Sequence, residues 1–176
     1  MTPTQALLQA TCTKGTLASD IRKLIRQGAN VNARTNDGIT PLIAAATMFL
    51  NAECIQLLID HGAIVNARTN PDFIDGTTAL IQAAKFSSES AVIHALINAG
   101  ADLNAADTHG RTALMYAAAK NPNPEIVRIL IAECAAINQQ DNYGWTALDL
   151  ARKNNSDPAI ARLLVEMGAK SSGREV

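Results

Sequence analysis

The chain has 176 residues, enough for one domain of ordinary size, and 48% of them are apolar, enough for a continuous core. Its 15 basic and 16 acidic residues nearly cancel, which leaves no electrostatic reason to expect nucleic acid or an anionic membrane as partner. No stretch approaches the roughly 18 apolar residues of a membrane span.

In chain order, the residues from about Thr4 predict a first helical pair with no entry turn, closed by Gly28-Ala-Asn-Val-Asn-Ala33. A full unit follows from about Thr35: a turn and helix start at Asp37-Gly-Ile-Thr-Pro-Leu-Ile-Ala-Ala-Ala46, a second helix, then Gly62-Ala-Ile-Val-Asn-Ala67. The third unit, from about Phe73, repeats this as Asp75-Gly-Thr-Thr-Ala-Leu-Ile-Gln-Ala-Ala84 and Gly100-Ala-Asp-Leu-Asn-Ala105. The fourth, from about Asp107, has His109-Gly-Arg-Thr-Ala-Leu-Met-Tyr-Ala-Ala118 and Cys134-Ala-Ala-Ile-Asn-Gln139. The fifth, from about Asp141, has Tyr143-Gly-Trp-Thr-Ala-Leu-Asp-Leu-Ala151 and ends early at Gly168-Ala169. The units therefore run over about 4–34, 35–72, 73–106, 107–140 and 141–170, and a disordered tail is expected over 171–176.

The spacing is regular. Turn residue and second block lie 24 apart each time, from 38 to 62, 76 to 100, 110 to 134 and 144 to 168. The return to the next turn takes 10 residues, except for 14 from 62 to 76, so the unit is 34 residues and Asn70-Pro71-Asp72-Phe73 marks an insertion of four. Each turn glycine supplies a positive φ. The following Thr caps the first helix, and Pro41 sits just inside it, where its missing N–H is harmless. Leu-x-x-Ala-Ala lays a small-residue stripe on the first helix, so that neighbours approach closely. Ile55, Leu58 and Ile59, or Ile126, Ile129 and Leu130, give the second helix an apolar face. The glycine of the second block ends that helix as a left-handed cap, and Cys134 in its place is expected to strain or alter the cap.

Asp-Gly-x-Thr-Pro-Leu-x-x-Ala-Ala together with Gly-Ala-x-Val-Asn-Ala resembles the ankyrin repeat, over about residues 4 to 169. The resemblance implies an all-α ankyrin-repeat solenoid: five helix-turn-helix units with short β-hairpin-like turns and atypical end units. Two departures stand out. The family's usual His after Thr-Pro-Leu is replaced by Ile43, Ile81, Met115 and Asp149, and each unit is one residue longer between its helices than is common.

The resemblance also implies a function: binding another protein, as an adaptor or an inhibitor, through the turn tips and the inner face of the first helices. Matched position by position, the tips are Asn36 and Ile39, Ile74 and Thr77, His109 and Arg111, and Tyr143 and Trp145. The inner helical positions are Thr47 and Met48, Lys85 and Phe86, Tyr116 and Lys120, and Asp149 and Lys153. All six aromatics (Phe49, Phe73, Phe86, Tyr116, Tyr143 and Trp145) fall at tips, on first helices or between helices, never on a second helix. Aromatic residues and Arg are enriched among binding hot spots, so these are expected to line a concave face. Phe49 and Phe86 serve equally well as plugs beneath the loops. The insertion, with Phe73 and Ile74, is either a contact loop or tolerated length. Asn32, Asn66, Asn104 and Asn138 are expected to bond loop backbone.

No catalytic pattern is present. His61, His94 and His109 occupy different structural positions and are not expected to converge, and no metal-ligand or phosphate-loop spacing occurs. Neither a cofactor nor a metal is expected. Cys12, Cys54 and Cys134, odd in number and widely spaced, argue against a disulfide framework; all three read as small hydrophobes at apolar helical positions. A monomer is expected, with a self-associating scaffold as the alternative and a small-ligand or enzymatic protein behind it. Met1-Thr2-Pro3-Thr4-Gln5 lacks the basic and apolar regions of a signal peptide, so an intracellular location is expected, unless a signal was removed or the chain is secreted as an effector.

Overall fold

The computed structural model describes residues 1–48, 51–155 and 157–173. Its helices come in five pairs: α1 (Pro3–Thr11) and α2 (Ala18–Arg26), α3 (Pro41–Thr47) and α4 (Ala52–Asp60), α5 (Ala79–Phe86) and α6 (Ser90–Asn98), α7 (Ala113–Lys120) and α8 (Pro124–Ala132), α9 (Ala147–Asn154) and α10 (Pro158–Glu166). The first helices pack on one another in the order α1, α3, α5, α7, α9, and the second helices form a parallel row. Phe49 lies outside the described residues.

The core runs between the two rows without a break. Ala45, Ala83, Ala84, Ala117 and Ala118 are sealed where first helices meet, while Ile55, Leu58, Ile93, Leu96, Ile126 and Leu130 supply the bulk beneath them. Alanine permits the close approach, and each aliphatic side chain removed from water contributes about 1.5–3 kcal/mol. Ile43, Ile81 and Met115, which stand where the family usually has His, are core residues here.

The expected caps form. Thr40, Thr78, Thr112 and Thr146 each accept from the backbone N–H three residues on, at 3.3, 3.3, 3.4 and 3.3 Å. Ahead of each cap the chain makes a hairpin-like turn. Thr35, Thr69, Asp107 and Asp141 donate their N–H to the carbonyls of Ile39, Thr77, Arg111 and Trp145 at 3.0, 3.0, 3.0 and 2.9 Å. Successive tips are tied by backbone: the N–H groups of Asn70, Thr108 and Asn142 donate to the carbonyls of Asp37, Asp75 and His109 at 2.8, 2.9 and 2.9 Å. This is why Gly38 admits no side chain. Its φ is 75°, and a Cβ would stand 2.5 Å from the Asn70 nitrogen.

The insertion leaves that register intact. Phe73 and Ile74 donate their N–H groups to the Asn70 carbonyl and Asp72 donates to the Asn70 Oδ1, so the extra residues close into one local turn. On the opposite side, each loop asparagine reaches the next unit. Asn32 and Asn66 donate to the carbonyls of Gly62 and Gly100 at 2.8 and 2.9 Å and accept from Ile64 and Asp102. Asn104 and Asn138 accept from Ala136 and Lys170.

Two expectations about cysteine need correction. Only Cys54 is a buried hydrophobe, whereas Cys12 and Cys134 are exposed at helix C-termini. Burial pushes the Cys54 thiol up, helped by Glu53 and Asp20, and burial also raises Cys12. Cys134 keeps the left-handed conformation of the glycines it replaces, with φ 67°, the one non-glycine residue among those described to do so. A Cβ in that region costs roughly 1–2 kcal/mol. Cys134→Gly is therefore expected to stabilise the chain by about 1 kcal/mol, after the greater freedom of glycine in the unfolded chain is subtracted. Urea unfolding at equal protein concentration checks this; an unchanged or lower midpoint contradicts it.

Candidate functional site

The fourth and fifth first helices and their tips enclose a groove of about 250 Å³, lined by Arg111, Met115, Tyr116, Ala119, Lys120, Trp145, Leu150, Lys153 and Asn154. Its polar side chains are placed from beneath. Asp141 Oδ1 accepts from the backbone N–H groups of Tyr143 and Trp145 at 3.0 and 2.9 Å, which shapes the tip. Its Oδ2 accepts from Arg111 Nε at 3.0 Å. Asp107 repeats the device one unit earlier: Oδ1 accepts from His109 and Arg111, both at 2.9 Å, and Oδ2 accepts from the Tyr116 hydroxyl at 2.6 Å. Both carboxylates are buried. Burial, and next the bond to Asp107, push the Tyr116 hydroxyl far above its ordinary pKa, so the phenol is neutral at any physiological pH.

Two lysines stand over aromatic rings here, and Lys120 lines the groove beside them. The Lys153 ammonium lies 4.4 Å from the centre of the Trp145 ring. The Lys85 ammonium lies 4.8 Å from the Phe86 ring and 5.0 Å from the Tyr116 ring. These are cation–π distances. Burial, then the like charge of Lys120, lowers the pKa of Lys85. Burial alone would lower Arg111, but the bond to Asp141 together with the charges of Asp141 and Asp107 raises it.

The structure therefore gathers Arg111, Tyr116, Lys120, Trp145 and Lys153 into one groove. His109 and Tyr143 flank it at the tips, their rings 6.2 Å apart, with His109 Nε2 3.6 Å from Asp75. Tyr143 is 53% exposed, and Phe73 on the insertion is 67% exposed, with Ile74 half-buried beside it. Phe86 is exposed and next to Lys85. Asn36, Ile39 and Met48 belong to the second unit and line none of this groove; Asn36 is exposed and the other two are half-buried.

Two residues assigned to the binding surface are not on it. Thr77 is 4% exposed: its hydroxyl accepts from Gln82 Nε2 at 2.8 Å and its N–H donates to Thr69 Oγ1 at 2.8 Å. Asp149 is 0% exposed. Its Oδ2 accepts from the Thr146 N–H and hydroxyl at 3.0 and 2.8 Å and from the Ser172 N–H at 3.0 Å, and its Oδ1 accepts from the Ser171 hydroxyl at 2.6 Å. It caps α9 and ties down residues 171 and 172, the start of the segment expected to be disordered.

The three histidines stay apart. His61 Nδ1 bonds the Leu57 carbonyl at 2.8 Å, His94 is on the exposed side of α6, and His109 is at a tip. Among the described residues no three His, Cys, Asp or Glu side chains are grouped to hold a metal ion, and no helix is long and apolar enough to cross a membrane.

A family model for ankyrin repeats in three copies matches residues 7–107 and again 80–174, overlapping spans that together take in nearly the whole chain. The chain belongs to the ankyrin-repeat family. No curated protein matches it in sequence. Ankyrin repeats are generally protein–protein interaction modules, and fold alone goes no further than that.

Within this ankyrin array, two sets of residues escaped the sequence reading. One is the series Thr35, Thr69, Asp107 and Asp141, whose side-chain oxygens accept tip N–H groups; its signal was a short oxygen-bearing side chain at the same turn position in four units. The other is the pair Asn121 and Asn155 between the helices. Asn121 Nδ2 donates to the carbonyls of Ala84 and Ser87, both at 2.8 Å, and Asn155 Nδ2 to that of Ala118 at 2.8 Å. The extra residue between the helices was their only trace.

Proposed function

We propose that this chain is a protein-binding module, acting as an adaptor or an inhibitor, and that it grips its partner on the face where turn tips and first helices meet. The observation that carries the reading is the groove between α7 and α9. There Arg111 and Tyr116 are held by the buried carboxylates of Asp141 and Asp107, which also shape the tips, and Lys153 lies over the Trp145 ring. Tyr116 is itself already buried, so the contact area here comes from Trp145 and Arg111, whose fixed positions around a concavity cost little conformational freedom on binding, the anatomy of a hot spot. Exposed Tyr143 and Phe73 extend the contact along the tips.

The test is capture of partners from source lysate with the wild-type chain and with Tyr143→Ala and Trp145→Ala. Each substitution is expected to weaken capture of the same set of proteins by about tenfold or more, the scale of a hot-spot truncation. Tyr143→Ala is expected to leave the melting temperature unchanged, because its ring is exposed; Trp145 packs partly on the core and its removal lowers stability as well. Capture indifferent to Tyr143→Ala and Trp145→Ala rules the face out.

A further inference from the structure

The groove also bears on what kind of partner it takes. Lys85, Lys120 and Lys153 come from three consecutive first helices, and no carboxylate lies within ion-pair distance of any of them among the described residues. Two carboxylates on this face are already committed, and the third, Asp75, is exposed. Asp107 and Asp141 are buried and accept from tip N–H groups, Tyr116 and Arg111, and Asp75 stands beside His109 at the tip. In a chain whose charges nearly cancel, the solvent-facing charge here is thus three ammonium groups against the one carboxylate of Asp75, a net cationic face. Aromatic rings lie directly under two of the three ammonium groups.

Resting on the protein-binding reading above, we infer that the partner presents an extended acidic segment, whose carboxylates pair with Lys85, Lys120 and Lys153 while an apolar side chain enters the groove beside Trp145. Ammonium groups already lying on aromatic faces are partly desolvated and held in place, so a carboxylate arriving there loses less water and orders less side chain than at a free surface lysine. Against these three ammonium groups the face sets the exposed Asp75 at its tip, so an acidic segment still meets net attraction, and its neutral counterpart leaves like charges unanswered. An apolar residue between the acids is required because the floor of the groove, Met115, Ala119 and Leu150, offers no hydrogen bonds.

Fluorescence anisotropy with a labelled peptide of repeated Glu-Glu-Phe, and with its Gln-Gln-Phe counterpart, tests this on the full chain. The acidic peptide is expected to bind about tenfold tighter or more than the neutral one, and to weaken as salt rises. Combining Lys85→Gln, Lys120→Gln and Lys153→Gln is expected to abolish that preference. Combining Arg26→Gln, Arg128→Gln and Arg162→Gln, the same loss of charge on second helices, is expected to leave it. The salt titration of the unaltered chain needs no variant, so a poorly folded one does not blunt the test. Equal binding of the two peptides, equal loss in both triple variants, or tighter binding of a single-stranded oligonucleotide overturns the inference. If the peptide fails while lysate capture still depends on Tyr143 and Trp145, the acidic class is wrong and the protein-binding reading stands; if capture does not depend on them, that reading falls first.

Discussion

Replacing Asn121 by alanine is expected to destabilise the array by about 3 kcal/mol. The side chain is 0% exposed and makes three bonds: its Nδ2 donates to the carbonyls of Ala84 and Ser87, and its Oδ1 accepts from the Asn123 N–H at 2.9 Å. Two of these cross from the fourth unit to the third. Each net bond is worth about 1 kcal/mol, and polar groups stranded out of water cost more than that. Repeat arrays are stabilised by nearest-neighbour interfaces, so the damage falls on the coupling between units three and four. Asn121→Asp is expected to do at least as much harm, because a carboxylate cannot donate to two carbonyls. Asn155→Ala is expected to cost less, since its site is only half-buried and its second bond, to the Asn121 carbonyl, is 3.4 Å long. Urea unfolding followed by circular dichroism ranks the three; a loss below about 1 kcal/mol for Asn121→Ala contradicts the argument.

Asp149→Ala is expected to cost a similar amount at neutral pH, about 2–3 kcal/mol, the range for hydrogen bonds to a charged group at a buried site. Its bonds cap α9 and hold Ser171 and Ser172 against it. The effect depends on pH, with a definite sign. Burial by itself favours the neutral acid, but the bonds from Ser171, Thr146 and Ser172 outweigh it and hold the carboxyl well below the ordinary carboxylate range. With the folded pKa depressed, the unfolded chain takes up the proton first. The stabilisation is complete above about pH 4, the unfolded value, and is lost as pH falls from there toward the folded value. Asp149→Asn is expected to lie below wild type at pH 7 and to converge with it as the solution is taken below pH 4. A constant gap across that range contradicts the assignment.

The fold was legible in the sequence because repetition makes its own evidence. A turn residue, a Thr cap and a left-handed C-cap recurring at one spacing each report a local backbone requirement, and the structure meets them at Thr40, Thr78, Thr112 and Thr146 and at Gly28, Gly62, Gly100 and Gly168. The same register names the tips and the positions that face inward along first helices, and Tyr116, Lys120, Lys153 and the tip residue Trp145 do meet in one groove. Register, however, does not carry burial. Thr77 and Asp149 hold tip and inner positions by count, yet both are sealed, because short polar side chains beside free backbone N–H groups bond locally instead of reaching out. The Thr146-x-x-Asp149 spacing carried that signal as a capping box.

By itself, then, the sequence determined the elements and their order: five helical pairs, the turns between them and the residues that cap them, all set by interactions a few positions apart along the chain. The tertiary structure alone decided which side chains are free. That depends on bonds spanning about one repeat of chain, such as Asn121 to Ala84 and Arg111 to Asp141, and partners so distant in sequence are chosen by how the units stack.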